Sequence, residues 1–172
     1  MSSGAWWYKV EKSGQTGYLQ YKNDGVTTGD ITITTWVKLQ RFERHLLNVI
    51  AQNLRLEKLP PLTWYDVLWE LEKAPGSKLH PSQIEELILL SQCNVSRLID
   101  RLVDRGYVTR ETCGGDKRRQ WIIITEQGRQ LRQKIWPVYI RSMEQHFAQL
   151  LSVHEKKQLA AIIDKLLSFS KK

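Results

Sequence analysis

The sequence predicts a mainly α-helical chain with one small β-hairpin, an α+β arrangement in which long terminal helices frame a compact helix-turn-helix. Three observations predict it. Apolar residues recur at three- and four-residue steps over most of 35–170. A single pair of strand-like runs, 107–112 and 120–124, flanks a Gly114-Gly115 bend. Helix start and stop residues (Pro81, Ser91, Gly106 and Thr125) punctuate the chain around that hairpin.

Residues 1–34 read as an N-terminal extension with short strands. Ala5-Trp6-Trp7-Tyr8-Lys9-Val10, Tyr18-Leu19-Gln20-Tyr21 and Ile31-Thr32-Ile33-Thr34 are strand-like, with turn signals at Ser13-Gly14 and Asn23-Asp24-Gly25. From Thr35 the period becomes helical. Trp36, Leu39, Phe42, Leu46, Val49, Ile50 and Leu54 form a stripe that runs to about Lys58, before Pro60-Pro61. Thr63 with Asp66 resembles a cap for the next helix, whose stripe is Val67, Leu68 and Leu71 and whose end is Pro75-Gly76. Pro81 suits the first position of a third helix reaching about Leu90, although His80 is a poor cap. Ser91 caps a fourth helix that ends at Arg105 because Gly106 supplies the break.

Strands at Tyr107–Thr112 and Gln120–Ile124 enclose Cys113–Arg119 as the hairpin tip. Thr125 caps a long helix to about Leu151, with a kink expected at Pro137. Ser152-Val153-His154-Glu155 is a capping-box pattern opening a last helix with Leu159, Ile162, Ile163, Leu166 and Leu167 on one face. The expected division is the extension 1–34, long helical segments at 35–60 and 125–172, and a helix-turn-helix with its hairpin at 61–124.

Charge narrows the partner. The 172 residues carry a net charge of +8, which permits a polyanionic partner without requiring one. Residues 125–172 carry net +5, whereas 79–124, which hold the helix-turn-helix and hairpin, carry only +1. Placement of the cations, rather than their number, must therefore make any reader. Cys93 and Cys113 make neither a disulfide framework nor a metal quartet, and His45, His80, His146 and His154 lack ligand spacing, so no metal or cofactor is expected. No apolar run would span a membrane and no signal peptide is evident, which predicts a cytoplasmic protein with no membrane partner. No phosphate loop, nucleophile elbow or paired carboxylates emerge, and Glu85-Glu86 reads as an exposed helix face, so catalysis is not expected.

The fourth helix separates its residues by chemistry. At 100° per residue, Val95, Leu98, Ile99 and Leu102 share one side and are expected to pack on Ile84, Leu87 and Ile88. Cys93, Asn94, Arg97, Arg101 and Asp104 fall opposite, and the exposed N-terminal half offers Gln92, Asn94, Ser96 and Arg97. Arginine pairs bidentately with guanine, Asn or Gln with adenine, and Ser serves base or phosphate. The competing reading is a solvated face with internal Arg97–Asp100 and Arg101–Asp104 pairs. The hairpin favours DNA, because Lys117, Arg118 and Arg119 follow one another at its tip, where long cations reach phosphates or a minor groove. A charged edge that merely resists aggregation is the alternative.

Leu62-Thr63-Trp64-Tyr65-Asp66-Val67-Leu68, the run Val95-Ser96-Arg97-Leu98-Ile99-Asp100-Arg101-Leu102, Arg105-Gly106-Tyr107-Val108, and Asp116-Lys117-Arg118-Arg119 followed by Ile124-Thr125-Glu126-Gln127-Gly128 together resemble the MarR (multiple antibiotic resistance regulator) family over roughly 35–170. The resemblance implies a homodimeric winged-helix transcription regulator on a palindromic DNA operator, usually a repressor relieved by a small molecule or by oxidation. It implies that Arg118 enters the minor groove and that Asp116 orients the wing. Two departures are His80, where the family has a Thr or Ser cap, and the long aromatic lead 1–34. Independently, Trp36, Phe42, Trp136, Phe147 and Phe169 would leave apolar patches on a monomer, which also predicts a dimer.

By resemblance, a pocket for a phenolic or anionic aromatic effector would draw on Trp36, Arg41, His45, Trp64 and Trp69; the other reading makes those tryptophans core. Cys93 and Cys113 offer a thiol-based redox reading, against ordinary small residues, and the family's peroxide-sensing cysteine position near the N-terminus is empty here. A winged helix used only for protein interaction remains the rival function.

Overall fold

The computed structural model describes residues 21–23, 26–28, 30–88, 92–113 and 116–169, with side chains at 31–88, 94–112 and 120–168. Backbone contacts divide the chain into two units, 1–43 and 44–172.

In the first unit, β1 (Tyr21–Asn23) and β2 (Val26–Thr28) pair antiparallel, Tyr21 opposite Thr28. Helix α1 follows at Asp30–Leu56. Ile31–Thr34, expected as a strand, is therefore its first turn. β-branched residues lose only a few tenths of a kcal/mol each in a helix, and extending an existing helix adds a bond per residue, so four of them do not stop it. The tryptophan-rich segment before Tyr21 lies outside the described residues.

The second unit holds the core. The last turns of α1 contribute Ile50 and Leu54, both nearly inaccessible. Lys58 ends α1 at φ +56, with Leu59 N donating to Leu54 O and Lys58 N to Arg55 O, the paired bonds of a Schellman turn. Helix α2 (Leu62–Lys73) starts directly after Pro61 without a side-chain cap, so Thr63 is not its cap. The Pro60-Pro61 pair already fixes the entry, and Asp66 lies within the helix instead of serving its first turn. A 3₁₀ turn (Pro75–Ser77) and a two-residue strand β3 (Lys78–Leu79) lead into α3 (Pro81–Ile88). That strand is too short to leave a sequence signal.

Helix α4 spans Gln92–Asp104 and stops at Gly106, φ +73, through a second Schellman turn from Gly106 N to Val103 O and Tyr107 N to Leu102 O. Strands β4 (Val108–Cys113) and β5 (Asp116–Ile124) follow, and the sheet order is β3-β5-β4, all antiparallel. The hairpin tip is narrower than expected. β4 reaches Cys113 and β5 begins at Asp116, and these two residues pair. Asp116–Arg119 thus belong to β5.

Helix α5 (Glu126–His146) runs through Pro137 and stops five residues short of the expected Leu151. A second 3₁₀ turn, Ala148–Leu150, intervenes before α6 (Val153–Phe169). The capping box that opens α6 needs a turn before it. Glu155 N donates to Ser152 Oγ at 3.3 Å, while the Ser152 hydroxyl (2.7 Å) and then its backbone N–H (2.8 Å) donate to Glu155 Oε2 and lower the Glu155 pKa. One core joins α1 and α5 to the helix-turn-helix and sheet, including Leu68, Leu71, Ile84, Ile99, Leu102, Ile122 and Ile135. Its buried hydroxyl, Ser142, accepts from Asn53 Nδ2 at 2.8 Å and donates to Val138 O at 2.7 Å, tying α1 to α5.

Candidate nucleic-acid interface

The recognition face is built from the inside out. Val95, Leu98, Ile99 and Leu102 are at most 6% exposed and anchor α4 on the core. Ile84 receives them, fully buried, but Leu87 is half exposed and contributes little. Fixing that stripe leaves Asn94, Ser96, Arg97 and Arg101 in solvent on the opposite face. The side chains of Gln92 and Cys93 lie outside the described residues.

Neither expected internal pair forms. Among the described residues no ion pair involves Arg97 or Arg101, and the carboxylate expected to engage Arg97 instead accepts from Arg110 on β4. The arginines on α4 are therefore presented without an acidic partner. Sequence reasoning missed Arg110, since its bond to Asp100 joins a strand to a helix ten residues away.

The wing carries a register irregularity at its basic stretch. Thr112 pairs with Gln120 and Cys113 with Asp116, so Lys117, Arg118 and Arg119 fall between two register pairs and oppose no residue of β4. An unopposed stretch bends a strand and strengthens its local twist. The side chains of Cys113 and Asp116–Arg119 lie outside the described residues.

Three ties hold the wing base. Thr125 Oγ1 donates to Gly106 O at 2.7 Å and accepts from Gly128 N at 3.1 Å, so one hydroxyl closes the end of α4 and caps α5. Tyr107 packs edge-on against Trp64, centroids 5.8 Å apart. His80, a poor cap by type, is itself capped, with its N–H donating to Gln83 Oε1 at 2.9 Å. Its ring stacks on Trp121 at 3.6 Å and places Nδ1 2.9 Å from Gln120 O. Lys78 Nζ lies 4.9 Å from the Trp121 centroid. A cleft of about 200 Å³ opens between α3, α4 and the sheet, lined by Ser82, Glu85, Ser96, Ile99, Arg110 and Gln120.

The expected effector residues are divided between the two units. Trp36 and Arg41 lie on the first unit's part of α1, both exposed. His45 faces His146 edge-on at 6.1 Å. Trp64 faces Tyr107, whereas Trp69 is nearly parallel to Tyr65 at 6.2 Å, so the two tryptophans serve different surfaces of α2. Trp69 belongs to a ring cluster on α2 and α5. Trp136 is also nearly parallel to Tyr65, at 6.0 Å, and Tyr139 tilts against it at 5.5 Å. Arg132 sits 5.2 Å from Trp69 and pairs with Glu72, which also takes Arg129 at 3.2 Å. Burial beside these rings and the charge of Glu70 push the Asp66 carboxyl up to about 6, and burial also raises Tyr65 and Tyr139. Spacings of three and four among Arg132, Trp136 and Tyr139 were the available signal for this cluster.

The MarR family model matches residues 59–119, which run from the approach to α2 to the basic stretch of β5. Over its helix-turn-helix and wing the chain is similar to the MarR family. The transcriptional repressor MprA of Escherichia coli (strain K12) is 30% identical over 106 residues, covering 62% of this chain. The chain spans only 60% of the length of that relative. AbsC, a MarR family transcriptional regulator from Streptomyces coelicolor, superposes with a TM-score of 0.74 over 84% of this chain and 97% of its own, at 22% identity. A second MarR family regulator of Streptomyces coelicolor, solved in complex with DNA, gives 0.71 over 78% of this chain and 84% of its own, also at 22% identity. The chain thus shares the winged-helix fold of these regulators, one of them seen on DNA.

Proposed function

We propose that this chain is a MarR-type, homodimeric, sequence-specific DNA-binding transcription regulator. The observation that carries the reading is α4, with an apolar stripe locked in the core and Asn94, Ser96, Arg97 and Arg101 exposed without an acidic partner among the described residues. Those types supply base-edge and phosphate contacts. Lys117, Arg118 and Arg119, with Asp116 orienting them, serve the backbone and minor groove. Likeness to MprA supports repression as the mode of action. Dimerisation is supported by apolar side chains left in solvent, including Trp36 at 58%, Leu166 at 58% and Leu167 at 57%.

The test is selection from a random duplex pool. Two related half-sites about 10 bp apart, centre to centre, are expected, because a two-fold dimer places two α4 helices in successive major grooves. Enrichment of unpaired half-sites would contradict the dimer. A protein that enriches no duplex would leave the interaction-module reading in its place.

Relief by an aromatic effector is supported by the α2–α5 ring cluster, where Trp69 and Trp136 are 38% and 41% exposed. Quenching of their fluorescence by phenolic acids should saturate, with concurrent release of DNA. No saturable change would remove the effector from this face.

A further inference from the structure

Asp100 is the only acid within four residues of Arg97 on either side. At a spacing of three on a helix, the two are natural ion-pair partners. The structure gives the carboxylate to another residue. Arg110 Nη2 on β4 donates to Asp100 Oδ1. Arg110 stands opposite Ile122 in the β4–β5 register, and Ile122 is fully buried, so the guanidinium comes from the core-facing side of the sheet. The side chains of Arg110 and Asp100 are 37% and 52% exposed, and a solvated pair of this kind adds little to stability. What it changes is which cation is left over.

We propose that Arg110 is a positioning residue for DNA reading: by occupying the Asp100 carboxylate it keeps Arg97 unpaired and free to meet a base edge. The proposal rests on the DNA-reading function argued above. Without Arg110 the carboxylate turns to Arg97, one helical turn away, and the reader loses its bidentate donor.

The test uses the full chain and a duplex enriched by the wild-type protein from a random pool, with affinity read by fluorescence anisotropy at fixed salt. Arg110→Gln should weaken binding about five- to hundredfold, the range of one lost bidentate contact. Arg55→Gln removes the same charge from the exposed end of α1 and should change affinity less than about twofold. Adding Asp100→Asn to Arg110→Gln should recover most of the loss, because no carboxylate remains to capture Arg97. Arg97→Gln should be equally weak with or without Arg110→Gln, since neighbours acting through one contact are not additive. Arg110→Lys keeps a cation in place and should stay near wild type, which covers a Gln variant that folds poorly. The proposal fails if Arg110→Gln matches Arg55→Gln, or if the double variant is no better than Arg110→Gln alone. A wild-type chain that enriches no duplex overturns the DNA-reading function itself, and this proposal with it.

Discussion

Gly128→Ala probes the joint between wing and α5. Gly128 is in the first turn of α5, where alanine normally gains about 1 kcal/mol over glycine. Here a Cβ would meet Tyr107 O at 2.2 Å, Ile124 Cγ1 at 2.9 Å and Leu68 Cδ2 at 3.1 Å. Leu68 can yield by a few tenths of an ångström, but Tyr107 O is backbone and accepts from Thr125 N at 3.1 Å. Relief requires moving it by about 1 Å and loosening the Gly106–Thr125–Gly128 knot. Overpacking costs about 1–3 kcal/mol and each strained hydrogen bond about 1 kcal/mol more. Against the propensity gain, the net loss is about 2–4 kcal/mol. Urea unfolding followed by tryptophan fluorescence, at one protein concentration, should show a midpoint about 1–2 M lower. A midpoint within about 0.2 M of wild type, or above it, would refute the argument that backbone contact demands this glycine.

Three further outcomes follow from the same structure. The Asp66 pKa is raised to about 6 from 3.8, so its favourable contribution is complete below about pH 4 and is lost as pH rises through 6. Asp66→Asn should therefore stabilise by about 1–2 kcal/mol at pH 8, after allowance for partial exposure, and by almost nothing at pH 4; an equal change at both values contradicts the assignment. Ser142→Ala should cost about 1–2 kcal/mol, because it strands Asn53 Nδ2, whereas adding Asn53→Ala should not double that loss in a double-mutant cycle. Leu102→Ala, at a site with no exposure, should cost about 2–5 kcal/mol in denaturant unfolding, and a loss below about 1 kcal/mol would contradict the packing described for α4.

What the sequence made legible was local chemistry with a period. The apolar stripe of α4, the Gly106 stop, the Thr125 cap and the Ser152–Glu155 box are each set by neighbours three or four residues apart. The errors arose where a longer-range term decides. Ile31–Thr34 looks like a strand in isolation and becomes helix because α1 propagates through it. Thr63 looks like a cap, but Pro61 has already set the entry of α2. The basic stretch looks like a loop tip, yet β4 pairs with Asp116 and leaves Lys117–Arg119 unopposed within β5. In the candidate site, the exposed α4 residues were readable from the helix face. Arg110 was not, because its role comes from a strand-to-helix contact. The ring cluster of Tyr65, Trp69, Trp136 and Tyr139 was half readable: each helix shows its own spacing, but only the packing of α2 on α5 joins them.

The measurement that bears most directly on the central claim is the salt dependence of binding to the enriched duplex, for the wild-type chain and Arg118→Ala. If α4 and the wing read DNA, the logarithm of the binding constant falls linearly with the logarithm of salt, with a slope of about −0.9 per phosphate neutralised and several phosphates in all. Arg118→Ala should bind at least about tenfold more weakly, as expected of a lost minor-groove arginine. A flat salt profile, or an Arg118→Ala protein with wild-type affinity and slope, would contradict the account.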